Sequence, residues 1–155
     1  MSIDALLLHV PMVDSLKKKD VTLWVTKIAM GLFSISNELE KIGFNTEIIN
    51  LIREAGVVGM GGEEGYPTHI KLQPEEPDKI EYNFSIASYI KEQNIKVVFI
   101  SLHWHFQTYD SLEIAKRIKE ENPNVPIVLG GFTASCFPKE ILEKFSYVDA
   151  IIKGE

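Results

Sequence analysis

The chain has 155 residues, of which 45% are hydrophobic and 25% charged, and its formal net charge is −6. This composition predicts one ordered globular domain, and the negative charge argues against a nucleic acid or an anionic membrane as a partner. The single cysteine, Cys136, excludes an internal disulfide and a multi-cysteine metal or iron–sulfur site built from this chain alone. The apolar run near the N-terminus is short and lacks a basic flank, so we predict a cytoplasmic protein rather than a secreted or membrane-spanning one.

The first third of the sequence predicts a strand, a helix and a second strand. The apolar run from Ala5 to Val10 is ended by Pro11, as expected for a buried strand. The next apolar residues recur at spacings of three and four, which predicts an amphipathic helix over residues 28–42 with Gly43 at its C-terminal cap. These residues are Ile28, Leu32, Ile35, Leu39 and Ile42. Residues 44–51 return to strand character.

The middle of the chain is irregular. Residues 53–79 contain five glycines, three prolines and several acidic residues, which favours a long surface loop. Residues 82–92 follow with Phe84, Ala87 and Ile90 at helical spacing, so a helix is predicted there.

The remaining sequence alternates short apolar runs with helical patterns. Strands are predicted over residues 97–101, 127–129 and 148–152, and helices over residues 109–120 and from Pro138 onward. Buried faces are assigned to Leu112, Ala115 and Ile118 of the first helix, and to Ile141, Leu142 and Phe145 of the second. Five strands alternating with four helices predict a single α/β domain over residues 1–155, with a doubly wound, flavodoxin-like parallel sheet of order 2-1-3-4-5.

In such a sheet, ligands bind outside the carboxyl ends of the strands. Here the third strand ends in Ser101-Leu102-His103 and the fourth in Gly130-Gly131-Phe132. His103 and His105 lie two residues apart in an aromatic segment, so both imidazoles are able to face one crevice. Two histidines are fewer than the three or four ligands of a typical zinc site, so contact with a cofactor, contact with a partner domain and loop packing are favoured over metal binding.

Three familiar uses of this architecture are poorly supported. A phosphoacceptor receiver requires an acidic cluster after the first strand, where this chain has His9-Val10-Pro11. An FMN site requires a glycine- and hydroxyl-rich phosphate loop, but residues 11–24 contain no glycine. The glycines between Gly59 and Gly65 have the wrong spacing for a dinucleotide fingerprint, and two glutamates accompany them.

Three passages resemble a known family. They are residues 30–51 (MGLFSISNELEKIGFNTEIINL), residues 97–131 (VVFISLHWHFQTYDSLEIAKRIKEENPNVPIVLGG) and residues 148–155 (VDAIIKGE). In order and spacing they resemble the N-terminal cobalamin (B12)-binding-type domain of radical S-adenosylmethionine enzymes. In that family the last strand leads through a Gly-Glu pair towards the catalytic domain.

The resemblance implies a slot between the sheet and its helices for the nucleotide tail of cobalamin. The cofactor-binding residues that it implies are Ser101, Leu102, His103, His105, Gly130, Gly131, Phe132 and Thr133. The glycine pair would let the backbone approach the tail. The alternative for the pair is a plain strand-to-helix turn. Many such domains ligate cobalt through an Asp-x-His-x-x-Gly motif after the first strand, and this chain lacks it, so cobalamin is expected to bind without a protein histidine ligand.

The resemblance also implies a place in a larger protein. We expect this chain to be a module cut from a radical S-adenosylmethionine enzyme, catalytically silent alone, with no catalytic residue and no metal ligand of its own. The iron–sulfur cluster, S-adenosylmethionine, the reaction and its substrate would belong to a C-terminal partner domain. A degenerate interaction domain that no longer binds cobalamin is the main alternative, and a small flavin- or nucleotide-binding protein is a third.

Overall fold

A computed structural model describes residues 3–10, 30–50, 70–72, 80–82 and 85–154. The strands are β1 (Ala5–His9), β2 (Thr46–Asn50), β3 (Ile70–Leu72), β4 (Ile80–Tyr82), β5 (Val97–Ser101), β6 (Ile127–Gly130) and β7 (Ala150–Ile151). The α-helices are α1 (Met30–Lys41), α2 (Ser85–Glu92), α3 (Thr108–Glu121), α4 (Phe132–Cys136) and α5 (Pro138–Lys144), and a 3-10 helix (His105–Gln107) precedes α3.

The main sheet has five strands in the order β2-β1-β5-β6-β7, and every neighbouring pair is parallel. Counting only the strands of this sheet along the chain, the order is 2-1-3-4-5, so the predicted flavodoxin-like topology is confirmed. The registers His9 to Ser101 and Ser101 to Gly130 align the carboxyl ends of the three central strands at one edge.

One face of the sheet carries the hydrophobic core and is called the core face. Alternate strand residues such as Leu8, Ile100 and Leu129 are 0–1% exposed and form one cluster with side chains of α2, α3, α4 and α5. The predicted inward residues of α3, which are Leu112, Ala115 and Ile118, belong to this cluster. A hydroxyl contact from α2 supports the same arrangement, because Tyr89 Oη donates to Glu47 of β2, whose register partner is Leu6.

The opposite face is covered unevenly. Helix α1 packs against β1 and β2 there, and the Ser36 and Thr46 hydroxyl oxygens lie 2.5 Å apart. Over β5, β6 and β7, within the described part of the chain, the alternate residues on this face are half-buried or exposed, except Ser101, which is buried. We call this region the open face; its residues are Val97, Phe99, Val128, Gly130, Ala150 and Ile152.

Several element boundaries differ from those expected. The helix predicted over residues 82–92 begins at Ser85, because Tyr82 pairs with Ile70 in the β3–β4 antiparallel sheet. Ile42 was assigned to the buried stripe of α1 but is 71% exposed, since the helix ends at Lys41 and the chain turns at Gly43, whose φ is +92°.

The end of the domain differs as well. Leu142 was also predicted to be buried and is 41% exposed. Helix α4 was not predicted, and the last strand is only Ala150–Ile151. Ile28, Phe84 and most of residues 53–79 lie outside the described residues; within the predicted loop, Ile70–Leu72 forms strand β3 because it pairs with β4. No helix in the described ranges is long and apolar enough to cross a membrane.

Candidate functional site

The carboxyl ends of β1, β5 and β6 place three of the site-forming residues side by side. His9, Ser101 and Gly130 are register partners, so the side chains of His9 and Ser101 point to the side of the sheet to which a side chain at Gly130 would also point. That side is opposite the core face, because the intervening residues Leu8 and Ile100 belong to the core cluster. The row therefore follows the carboxyl edge of the sheet, from β1 under helix α1 to the open face at Gly130.

His9 is a buried titratable residue within this row. Its side chain is 6% exposed, and Nδ1 has no hydrogen-bond partner among the described residues. Burial, and to a lesser extent the charge of nearby His103, lowers the pKa of His9 from 6.5 to about 4. The imidazole is therefore neutral at physiological pH and retains hydrogen-bonding capacity at Nδ1.

Ser101 and Leu102, which were predicted to contact a cofactor together, point to different sides of the sheet. Ser101 is 4% exposed and lies beside His9 in the register. Its carbonyl oxygen accepts a hydrogen bond from the Ser111 hydroxyl at 3.4 Å. The Leu102 side chain is fully buried in the core cluster, and its amide donates to the Gly130 carbonyl at 2.7 Å.

The fold of the chain requires a glycine at position 131, independently of any ligand. Its φ is +104° and its ψ is 176°, a conformation that is essentially restricted to glycine. A Cβ at this position would lie 2.8 Å from the Leu102 carbonyl oxygen and 3.0 Å from the His103 Cα. The absence of a side chain at Gly131 therefore lets the two loops pack together, whether or not a ligand is bound.

Gly130 has a different environment from its neighbour. A Cβ there would meet only the Cβ of Ile152, at 3.9 Å, which is an ordinary contact distance. A larger side chain would project over the open face towards space that the described residues leave unfilled. Gly130 is thus the glycine of the pair whose missing side chain leaves room on the sheet surface.

The remaining predicted residues surround this edge. The Thr133 hydroxyl donates to the His103 carbonyl oxygen at 3.0 Å, and the Thr133 amide donates to the same oxygen at 3.2 Å. Phe132 is 60% exposed, and its ring centroid lies 6.5 Å from that of His103. His103 also makes an edge contact with Trp104, which is 46% exposed. His105 begins the 3-10 helix and is exposed.

Gln107 connects two of the loops at this edge and was not predicted from the sequence. It is 2% exposed; its Nε2 donates to the Val10 carbonyl at 2.8 Å, and its Oε1 accepts from the Trp104 amide at 3.1 Å. No local pattern signals this role, since Val10 lies 97 residues earlier in the chain. His9 was also missed, although a polar residue at the end of an apolar strand was a usable signal.

The described residues contain no group of three or more histidine, cysteine or carboxylate side chains that could hold a metal ion. A polar hollow lined by Ser34, Asn37 and Lys41 lies on the half of α1 that leads back to β2, so it does not belong to this edge. The edge itself combines a buried polar pair, an apolar sheet surface and exposed aromatic rings.

Comparison with known proteins agrees with the observed fold. The family model of the B12 binding domain matches residues 28–155, which include four of the five strands of the main sheet. A search of curated proteins found no match. Because the family model covers most of the chain and the sheet has the corresponding parallel topology, the chain belongs to the B12-binding domain family.

Proposed function

We propose that this chain is a cobalamin-binding module that holds the corrinoid through its open face and presents it to a separate radical S-adenosylmethionine domain. Family membership supports the binding of cobalamin. The observation that carries the proposal is the space above Gly130, where an apolar sheet surface adjoins the buried polar pair His9 and Ser101.

The open face suits the nucleotide tail of the cofactor. Phe99 and Val128 are half-buried and Ile152 is 39% exposed, so this surface offers apolar contact area that helix α1 does not cover. Ligand sites in proteins typically combine such apolar walls with a few polar groups that set orientation. Ser101 and His9 supply those polar groups at the rim. The residues of the open face and its edge therefore suit cobalamin, the cofactor that the family implies.

The corrin ring would lie above the edge, beside the exposed rings of Trp104 and Phe132. The segment after β1 lacks the Asp-x-His-x-x-Gly motif, and His9 is part of the sheet instead of a loop above it. We therefore propose that cobalt receives no histidine ligand from this chain. When bound, cobalamin supplies a cobalt centre that can carry a transferable carbon group.

The partner domain is part of the proposal. It is supported by the resemblance of three passages to radical S-adenosylmethionine enzymes and by the Gly154-Glu155 pair after the last strand. The cluster, S-adenosylmethionine and the reaction would belong to that domain, and a cytoplasmic location is consistent with the single free Cys136. The protein that contains this chain should carry a Cys-x3-Cys-x2-Cys motif after Glu155; a parent gene without one would refute this part.

Cobalamin binding is tested by titrating the chain with hydroxocobalamin, using the visible spectrum and calorimetry. We expect saturable binding that Gly130→Phe weakens at least about tenfold, because the phenyl ring would occupy the open face. Ser88→Phe is the matched control, since Ser88 is exposed on α2, on the other side of the sheet. Absence of saturable binding by the folded wild-type chain would show that cobalamin is not its ligand.

A second candidate function is an interaction domain of the same fold that does not bind cobalamin. Two observations favour it. Gly131 is explained by packing within the chain, and the exposed rings of Trp104 and Phe132 could contact a neighbouring domain. The same titration distinguishes the two functions, because the interaction domain predicts no saturable binding and no effect of Gly130→Phe on any corrinoid.

A further inference from the structure

We propose that His9 is a ligand-contacting residue whose Nδ1 forms a hydrogen bond with the nucleotide tail of the bound cofactor. This inference rests on the proposed function and adds to it a specific polar contact. No ligand motif marks His9 in the sequence, where it ends an otherwise apolar strand.

The position of His9 follows from the sheet. Leu6, Leu8 and Val10 belong to the core cluster, so the alternate residue His9 projects from the opposite face. Its register partner Ser101 is 4% exposed, and Gly130 follows on the next strand. The imidazole therefore lies at the carboxyl edge of the sheet, between the half that helix α1 covers and the open face.

The burial and the neutral charge of the His9 imidazole indicate which groups it can bind. A buried polar atom normally has a hydrogen-bond partner, because leaving it unpaired costs free energy. Nδ1 has none among the described residues. Burial and the adjacent His103 keep the imidazole neutral, with its pKa lowered to about 4. A neutral imidazole offers one donor and one acceptor, which suits the amide, hydroxyl and phosphodiester oxygens of a nucleotide tail.

The test compares cobalamin with cobinamide, a corrinoid that lacks the nucleotide. His9→Leu removes the polar atom, whereas His9→Asn keeps a polar atom near the position of Nδ1. We expect His9→Leu to weaken cobalamin binding about tenfold and His9→Asn to retain affinity within about threefold. Cobinamide binding should change less than about twofold in both variants.

A second readout does not depend on the folding of any variant. In wild-type chain labelled with ¹⁵N-histidine, the Nδ1 resonance of His9 should shift on adding cobalamin and stay in place on adding cobinamide. An unchanged resonance, equal cobalamin affinity in folded His9→Leu, or equal losses for both corrinoids would overturn the inference while leaving the proposed function intact. Failure of the wild-type chain to bind either corrinoid would overturn both.

Discussion

Two adjacent glycines give the clearest contrast at the scale of single residues. Any other residue at position 131 would have to adopt a backbone conformation reserved for glycine, and its Cβ would lie 2.8 Å from the Leu102 carbonyl oxygen. A Cβ at position 130 would meet only Ile152. We expect Gly131→Ala to lower the free energy of unfolding by about 3 kcal/mol and Gly130→Ala by less than about 1 kcal/mol. Urea unfolding of the two variants measures the difference. Equal costs would mean that Gly131 does not constrain the fold.

The buried imidazole of His9 predicts a pH dependence of stability. Its pKa is about 4 in the folded protein and 6.5 in the unfolded chain, so between these values the unfolded state binds more protons. Stability should therefore fall as the pH is lowered from 6.5 towards 4, by up to about 3 kcal/mol across the window. Urea unfolding at pH 7 and pH 4.5 measures the loss.

His9→Asn is the control for this window, because it lacks the titrating imidazole and should lose less stability. The carboxylates of Asp4 and Asp149 affect the free energy of unfolding only at lower pH. A hydrogen bond from Lys96 lowers the pKa of Asp4. Partial desolvation raises the pKa of Asp149, but hydrogen bonds from Lys119 and the Ile127 amide outweigh it and lower this pKa as well. Both groups therefore lose their contribution only below their ordinary value of 3.8. A wild-type profile as flat as that of His9→Asn would show that His9 is not buried in a neutral form.

At the scale of secondary structure, strong hydrophobic patterns predicted the elements well. The segment from β5 through α3 to β6 was placed within one residue at each end, because both strands are continuous apolar runs and α3 has a regular apolar stripe. Elements with weak hydrophobic patterns were not predicted. Helix α4 has only five residues and follows directly from the glycine pair, so it has no periodicity of its own.

The site was predicted less completely than the elements that carry it. The positions of Ser101 and Gly130 at one edge followed from the parallel topology, which the structure confirms. The separation of Ser101 from Leu102 onto opposite faces, and the packing of Gly131 against the neighbouring loop, depend on three-dimensional contacts that no local pattern encodes. The same holds for Gln107, which joins the exit of β1 to the loop after β5.

At the scale of the whole molecule, the described residues cover the two faces of the sheet unequally, because the central strands are buried on the core face and β5 to β7 are partly open on the other. Val98 lies on the core face and is 0% exposed, whereas Val128 lies on the open face and is half-buried. Identical truncations at the two positions should therefore differ in cost. We expect Val98→Ala to lower the free energy of unfolding by about 2–3 kcal/mol and Val128→Ala by less than about 1 kcal/mol, as measured by urea unfolding without ligand.

The variants Val98→Ala and Val128→Ala also distinguish effects on stability from effects on cobalamin binding. If the nucleotide tail covers the open face, Val128→Ala should weaken cobalamin binding about threefold to tenfold, because two methyl groups lose apolar contact with the ligand. Val98→Ala should leave the affinity of the folded protein unchanged, since its side chain faces the core. Comparable destabilisation by both truncations would mean that the open face is covered in the free protein. Unchanged affinity in Val128→Ala would place the cofactor elsewhere on the domain.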